Sequence, residues 1–122
     1  MSQEGNYRFS PLAEVQLVAL WDYGYRRFGE QQADNYLDGL FSAIADVAAT
    51  GHYLGLPPSL VPPDIISDIT SLPIHYVRYE QEYIYLRTLS DKALGVICIL
   101  GDRMDTPNRL KENLSSHRAE IS

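Results

Sequence analysis

The sequence has few of the residues on which disulfides, metal sites and membrane spans depend. Its single cysteine, Cys98, cannot form an internal disulfide and cannot supply a zinc site by itself. No run of 18 or more apolar residues occurs, so we expect no membrane span. The first residues lack a basic region followed by an apolar run, so we expect no secretory signal peptide. These absences predict a soluble cytoplasmic protein.

Motifs of catalysis and of cofactor binding are also scarce. The eight glycines are scattered, which argues against a phosphate-binding glycine loop, and no Gly-x-Ser-x-Gly motif occurs. The three histidines, at positions 52, 75 and 117, share no metal-ligand spacing. Cys98 lies in an apolar run, where a thiol is usually buried and inert. We therefore expect no catalytic residue, no metal ion and no cofactor.

Basic residues are too few to favour general binding of nucleic acid. The formal net charge is -6, and residues 1–71 carry all of it, with three basic side chains against nine acidic ones. Residues 72–122 carry seven basic and seven acidic side chains, a net of zero. Because an acidic surface repels phosphate backbones, we expect no direct sequence-specific binding of nucleic acid by this chain. A local basic patch in the second half stays compatible with these counts.

The chain has the length and composition of one globular domain. It contains 122 residues, of which 45% are hydrophobic and 21% are charged. Ser10 followed by Pro11 is typical of a helix start, since proline there gives up an N–H that has no partner. Apolar residues then recur every three or four positions until Gly29, which predicts a helix over about residues 11–28.

A second run with the same spacing extends from Ala33 and ends at Gly51. The short connection around Gly29 predicts that the two helices pack antiparallel as a helical hairpin. One apolar stripe along these helices is predicted to lie in the core: Leu17, Leu20, Phe28, Leu37, Leu40 and Ile44.

The segment after the hairpin, residues 52–73, holds five of the seven prolines. Prolines at that density exclude a long helix or a central strand. We expect an ordered crossover on the surface, with a short helical turn or an edge strand near residues 64–70.

The apolar pattern then changes to the alternation that is typical of strands. Three strands are predicted over about residues 74–80, 83–89 and 94–100, joined by tight polar turns into an antiparallel meander, with the last strand central. With the short strand at Tyr7–Phe9, the predicted order is β-α-α-β-β-β. This is an α+β fold of two layers, a helical hairpin on a small, mainly antiparallel sheet. Its core spans about residues 7–107, and residues 108–122 form a polar C-terminal tail, either a short helix or disordered until a partner binds.

Tyrosines and arginines are concentrated in the predicted sheet. Tyr76, Tyr79, Tyr83 and Tyr85 lie on adjacent strands, with Arg78 and Arg87 among them. Such a surface is typical of a protein interface, and it also suits the stacking of nucleotides. A plain packed sheet surface is the third interpretation. The acidic balance of the whole chain favours the protein interface over RNA.

These residues, in this order, resemble a known toxin family, the ParE branch of the RelE/ParE superfamily. The similar segments cover about residues 7–107: Tyr7–Ala13, Leu17, Leu20, Tyr23, Gly29, Ala33, Tyr36, Leu40, Leu54–Gly55, Tyr76–Tyr79, Tyr83–Arg87 and Val96–Asp105. The most specific of them is Arg103-Met104-Asp105 after an apolar strand. Many family members carry a histidine where this chain has Gly101, and their loop after the hairpin is shorter and has fewer prolines.

The resemblance implies the toxin of a type II toxin–antitoxin module, held inactive by a ParD-like antitoxin in a hetero-oligomer. ParE-type toxins poison DNA gyrase by protein–protein contact and are not enzymes. The residues that the resemblance and the sheet pattern together assign to contact with target or antitoxin are Arg78, Tyr79, Tyr85, Arg87, Arg103, Met104 and Asp105.

Two other functions stay open at this point. One is a RelE-type, ribosome-dependent mRNA endonuclease, in which arginines stabilise phosphate and a tyrosine such as Tyr85 acts as acid or base. The other is a relative that has lost toxicity and only binds an antitoxin. Gly101 and the acidic balance count against RNA cleavage, and Gly101 is also compatible with lost toxicity.

Overall fold

The fold is α+β, with four helices and a five-stranded mixed sheet, in a computed structural model that describes residues 6–66, 73–101 and 106–116. In chain order the elements are β1 (Tyr7–Phe9), α1 (Pro11–Phe28), α2 (Glu30–Thr50), β2 (Ser59–Leu60), α3 (Pro63–Ile66), β3 (His75–Tyr79), β4 (Glu82–Thr88), β5 (Leu94–Gly101) and α4 (Thr106–Ser116). None of the helices in these ranges is long and apolar enough to cross a membrane.

The helical hairpin is confirmed. The Ser10 side chain accepts a hydrogen bond from the Ala13 N–H at 3.0 Å, which caps the start of α1. A single residue, Gly29, separates the two helices, and α2 begins at Glu30, earlier than the sequence pattern predicts. At the other end of α2, Gly51 has φ 81°, a left-handed conformation that glycine adopts without steric cost.

The strands lie in the order β1-β5-β4-β3-β2. The meander of β3, β4 and β5 is antiparallel, as predicted, and β1 pairs with β5 in parallel. β5 is an interior strand whose six central residues are all buried. The proline-rich segment contributes the edge strand β2, which pairs antiparallel with β3, and the single turn of α3. Edge strand and helical turn are thus both present, but the strand lies before residues 64–70.

Side chains of the N-terminal segment cover the edge of β5 where β1 has ended. β1 pairs only with Leu94–Val96, and an irregularity follows in the pairing of β5 with β4. Beyond that point the Ser10 hydroxyl donates to the Ile97 carbonyl at 2.6 Å, and the Ile99 N–H donates to the Gln16 side-chain oxygen at 2.7 Å. These bonds satisfy backbone groups that β1 is too short to reach.

The sheet separates two cores. On one side, which we call the hairpin face, Val77, Ile84, Leu86, Val96 and Ile99 pack against side chains of α1 and α2. On the other side, which we call the α4 face, Tyr85, Ile97, Cys98 and Leu100 pack against α4. The predicted α+β fold, a helical hairpin on a small sheet, is confirmed, and α4 adds a third layer over part of the second face that the two-layer prediction did not include.

α4 is an integral part of this third layer. Leu110 and Leu114 of α4 are 2% and 0% exposed. They lie four residues apart, one above the other on one side of the helix. The predicted boundary between core and tail at residue 107 falls inside this helix, which belongs to the packed structure as far as its described residues reach.

One predicted core residue is on the surface. Leu17, Leu40 and Ile44 are buried, and Leu20 and Leu37 pack against them, but Phe28 is 61% exposed. Phe28 is the last residue of α1, at the tip of the hairpin, where the helix has passed beyond the sheet-facing stripe. The three- and four-residue spacing of apolar side chains in α1 extends to Phe28, but the packing of α1 against the core ends before it.

Candidate functional site

The candidate site is the α4 face, where three tyrosines of β3 and β4 form one cluster. The Tyr76 ring lies 5.7 Å from the Tyr83 ring, edge to face, and 5.8 Å from the Tyr85 ring. Antiparallel pairing of β3 with β4 places Tyr76 opposite Tyr85, which brings the rings together. Of the four tyrosines singled out in the sequence, these three share one face.

Arg78 lies on the same face, at the β3–β4 turn. It pairs with Tyr83, and its guanidinium carbon lies 5.3 Å from the centre of the Tyr83 ring, a cation–π contact. Its Nε donates to the Glu80 carbonyl at 3.0 Å, which holds the exposed side chain close to the turn. Arg78 therefore presents a positioned cation at one end of the tyrosine cluster.

Arg87 lies at the other end of that cluster. Side chains alternate along β4, so Tyr83, Tyr85 and Arg87 point to one side of the sheet. Arg87 follows Tyr83 by four positions in β4, a distance of roughly 13 Å along the sheet. Arg87 is half-buried and pairs with Gly95 of β5. The α4 face thus carries an arginine at each end and aromatic rings between them.

Tyr85 is a core residue. Its side chain is 4% exposed and packs with Cys98 and Leu110 in the cluster beneath α4. Burial, helped by the neighbouring Cys98 and tyrosines, raises the pKa of its hydroxyl well above the ordinary value. The surface contact expected of Tyr85 is therefore not available in this structure, because its ring fills the core that a partner would have to open.

Tyr79 lies on the opposite, hairpin face. Its ring meets the Tyr36 ring of α2 edge to face at 5.2 Å, and burial raises the pKa of its hydroxyl. The hydroxyl occupies the space where a Cβ at position 39 would lie, so the backbone of α2 approaches this close only because residue 39 is glycine. Tyr79 joins β3 to α2 and does not belong to the tyrosine–arginine cluster.

The other three predicted contact residues, Arg103, Met104 and Asp105, lie outside the described residues. In the chain they stand between β5 and α4. Of the seven predicted contact residues, the structure brings Arg78, Tyr85 and Arg87 to one face.

Sequence reasoning missed the contribution of α4 and of α1 to this face. The Gln16 amide of α1 donates to the Asn113 side chain of α4 at 3.0 Å, and its oxygen holds β5. Only the four-residue spacing of Leu110 and Leu114 signalled in advance that the tail packs on the sheet. No local pattern links Gln16 to Asn113, which are 97 residues apart.

The side chains of this face are aromatic, basic or buried. Cys98 is completely buried and burial raises the pKa of its thiol to about 12, so it stays protonated near neutral pH. Within residues 6–66, 73–101 and 106–116, no three His, Cys, Asp or Glu side chains are grouped to hold a metal ion. What the face offers is a pair of cations and aromatic edges, which suits protein contact or the binding of an anionic group.

Comparison with family models and curated proteins finds no relative of this chain. The chain matches no protein-family model, and no curated protein is significantly similar to it in sequence.

Proposed function

We propose that the chain is the toxin of a type II toxin–antitoxin module, a ParE-like protein that inhibits DNA gyrase by protein–protein contact. In this proposal it acts in the cytoplasm and a ParD-like antitoxin neutralises it. The observation that carries the proposal is the combination of element order and site. A strand, a helical hairpin and a three-strand meander lead into the Arg103-Met104-Asp105 segment, as in that family.

The character of the α4 face supports a contact mechanism. Arg78 and Arg87 mark the two ends of a tyrosine cluster on one side of the sheet, and Tyr and Arg are the residues that dominate binding energy in protein interfaces. Tyr85 and Cys98, the groups nearest to a reactive role, are buried and held in their neutral forms. The proposal therefore assigns the two arginines to binding and the buried tyrosine to support.

A supercoiling assay with purified gyrase and relaxed plasmid tests the proposal. We expect the chain to block supercoiling and to leave cleaved plasmid after detergent and protease treatment. Addition of the antitoxin encoded beside it should restore supercoiling. Unchanged gyrase activity at large molar excess of folded chain would remove gyrase as the target.

Matched arginine variants locate the working surface. Arg87→Ala and Arg103→Ala each remove one cation and should weaken inhibition about 10-fold or more, the usual loss at an interface anchor of 1.4 kcal/mol or above. Arg26→Ala removes a cation from the exposed side of α1, where Arg26 pairs with Asp22, and should leave inhibition unchanged. Equal loss in all three variants would show that overall charge, and not the predicted contact residues, governs the effect.

The same arginines also favour one alternative, ribosome-dependent cleavage of mRNA, because two cations on one face can bind phosphate. Transcript mapping after induction distinguishes the two functions. Intact transcripts with cleaved chromosomal DNA support the gyrase inhibitor. Cleavage of transcripts on ribosomes, lost in Arg87→Ala, would support the nuclease. Normal growth with tight antitoxin binding would indicate a relative without toxicity.

A further inference from the structure

A cleft of about 360 Å³ opens at the tip of the helical hairpin, on the side away from the α4 face. Its walls come from the last turns of α1, the first turns of α2 and the β3–β4 turn. Its aromatic and charged lining residues are Tyr23, Arg27 and Phe28 of α1, Tyr36 of α2, and Glu80 and Glu82 beside the turn. None of these residues belongs to the tyrosine–arginine cluster of the proposed function.

One wall is aromatic and exposed. Tyr23 is 54% exposed and Phe28 is 61% exposed, although both are large apolar rings. The Arg27 guanidinium carbon lies 5.1 Å from the centre of the Tyr23 ring and 5.9 Å from the centre of the Phe28 ring. These distances are those of cation–π contacts, so the two rings already accept a guanidinium group.

The wall formed at the β3–β4 turn is acidic. Glu80 and Glu82 both act on the Tyr36 hydroxyl: Glu82 accepts its hydrogen bond, and the negative charge of each carboxylate, added to burial, raises the pKa of Tyr36. Glu80 is exposed, and within the described residues its carboxylate accepts no hydrogen bond and forms no ion pair. Arg27 likewise forms no ion pair with any described residue, so the cation on the aromatic wall does not neutralise the acidic wall.

We propose that this cleft binds an arginine side chain of a partner polypeptide. Aromatic rings and the Glu80 carboxylate in one cleft are the two partners of a guanidinium, which stacks on rings and donates hydrogen bonds to carboxylates. Charge complementarity favours a basic segment as the occupant, because α1 and α2 together carry six acidic side chains and two basic ones, and Glu80 and Glu82 add two carboxylates at the cleft. The proposal does not depend on gyrase as the target, and its test measures binding to the isolated chain.

The test is a titration of the full ¹⁵N-labelled chain with the capped tripeptide acetyl-Gly-Arg-Gly-amide, followed by NMR. We expect saturable shifts of the backbone amides of Gly24, Ala33 and Gln81, which line the cleft, and no shift of Leu114. The matched probe contains citrulline, which has the same shape without the charge, and should bind about 10-fold more weakly. Absence of saturable shifts, or equal affinity for both probes, would overturn the proposal.

Three variants separate the cleft from overall charge. Glu80→Gln should weaken binding of the arginine probe about 5-fold or more, whereas Asp38→Asn, which removes an exposed carboxylate of α2 outside the cleft, should not. Arg27→Gln removes the guanidinium that competes for the rings and should tighten binding about 3-fold. Equal weakening by Glu80→Gln and Asp38→Asn, or loss of binding in Arg27→Gln, would overturn the proposal.

Discussion

The two faces of the sheet are built in different ways. The hairpin face is covered by α1 and α2, helices of 18 and 21 residues, and its buried side chains are aliphatic or alanine. The α4 face is covered mainly by α4, a helix of 11 residues, with Leu12 of α1 and Ile65 of α3 beside it, and its core includes Tyr85 and Cys98 with Tyr76 and Tyr83 at its border. The first face has the larger set of buried apolar side chains, and the second carries the tyrosine–arginine cluster.

This difference follows from length and sequence separation. The hairpin helices are contiguous, so their packing against each other closes only a one-residue connection. α4 is an isolated helix of a length that is marginal in water, and it depends on Leu110, Leu114 and the Asn113 bond for its place. We therefore expect the hairpin face to control global unfolding and the α4 face to open more easily.

The largest expected effect is a cavity in the hairpin face. Leu40→Ala removes a side chain with no exposed surface and should lower the free energy of unfolding by about 3–5 kcal/mol, a large share of the stability of a small domain. Leu114→Ala makes the same change under α4, where the helix can shift into the space, and should cost about 2–3 kcal/mol. Urea unfolding followed by circular dichroism measures both.

Hydrogen exchange supplies the control for this pair. In Leu114→Ala, the amides of α4 should exchange much faster while those of α2 keep most of their protection. In Leu40→Ala, protection should fall in both helices together. Equal loss of protection everywhere in Leu114→Ala would show that the two faces unfold as one unit.

Alkaline pH should weaken both faces. Burial is the main cause that raises the pKa of Tyr36, Tyr79 and Tyr85 above 10.0 and that of Cys98 from 9.0 to about 12. Raised values mean that the folded chain keeps protons that the unfolded chain has lost. Stability is therefore fully present below about pH 9 and falls at higher pH, by up to about 1.4 kcal/mol per pH unit for each retained proton.

Thermal unfolding between pH 8 and 11.5 measures this loss, and tyrosinate absorbance at 295 nm measures the ionisation. Tyr36, Tyr79 and Tyr85, whose pKa values are raised, should ionise together with unfolding. Tyr85→Phe and Tyr79→Phe remove one such group from each face, and each should flatten the decline in stability. An unchanged decline in both would contradict the assigned burial effect.

The sequence predicts the hairpin face better than the α4 face, for physical reasons. Helix spacing, the Ser10–Pro11 start and the glycine ends are local signals, and they place α1 and α2 within a few residues. The two-residue strand β2 has no local signal, because its pairing with Tyr76 and His75 defines it. Phe28 follows the correct spacing but lies beyond the sheet that would bury it.

The candidate site also has a part that the sequence predicts and a part that it does not. Alternation along a strand could have assigned Tyr85 and Arg87 to one face and Tyr79 to the other, since the period of two is visible in the sequence. Burial of Tyr85 could not be read from the strand itself, because it depends on α4 packing over that face. Which face of a small sheet is free for a partner is a property of distant elements.

A smaller change in stability is expected where the α2 backbone lies close to the Tyr79 side chain on the hairpin face. Alanine normally stabilises a helix by up to about 1 kcal/mol relative to glycine, and Gly24→Ala, where the new Cβ would lie 3.5 Å from Ala33, should do so. Gly39→Ala should instead destabilise by about 1–3 kcal/mol, because the Cβ would overlap the Tyr79 hydroxyl. The Tyr79→Phe background removes that hydroxyl and should recover part of the loss. A stabilising Gly39→Ala would show that Tyr79 is not held against α2.

The smallest expected difference concerns the connection between the two faces. Gln16→Ala removes the acceptor of the Ile99 N–H and the donor to Asn113, so a backbone group on the uncovered edge of β5 loses its partner. We expect a loss of about 1–3 kcal/mol, the cost of an unsatisfied backbone donor. Asn113→Ala breaks only the hydrogen bond between α1 and α4 and should cost about 0.5–1.5 kcal/mol.

Hydrogen exchange tests whether Gln16 holds α4. If it does, both variants should speed hydrogen exchange in α4, and only Gln16→Ala should speed exchange of the Ile99 amide. Equal stability of the two variants would mean that water replaces Gln16 at β5, and the two faces would then be linked by apolar packing alone.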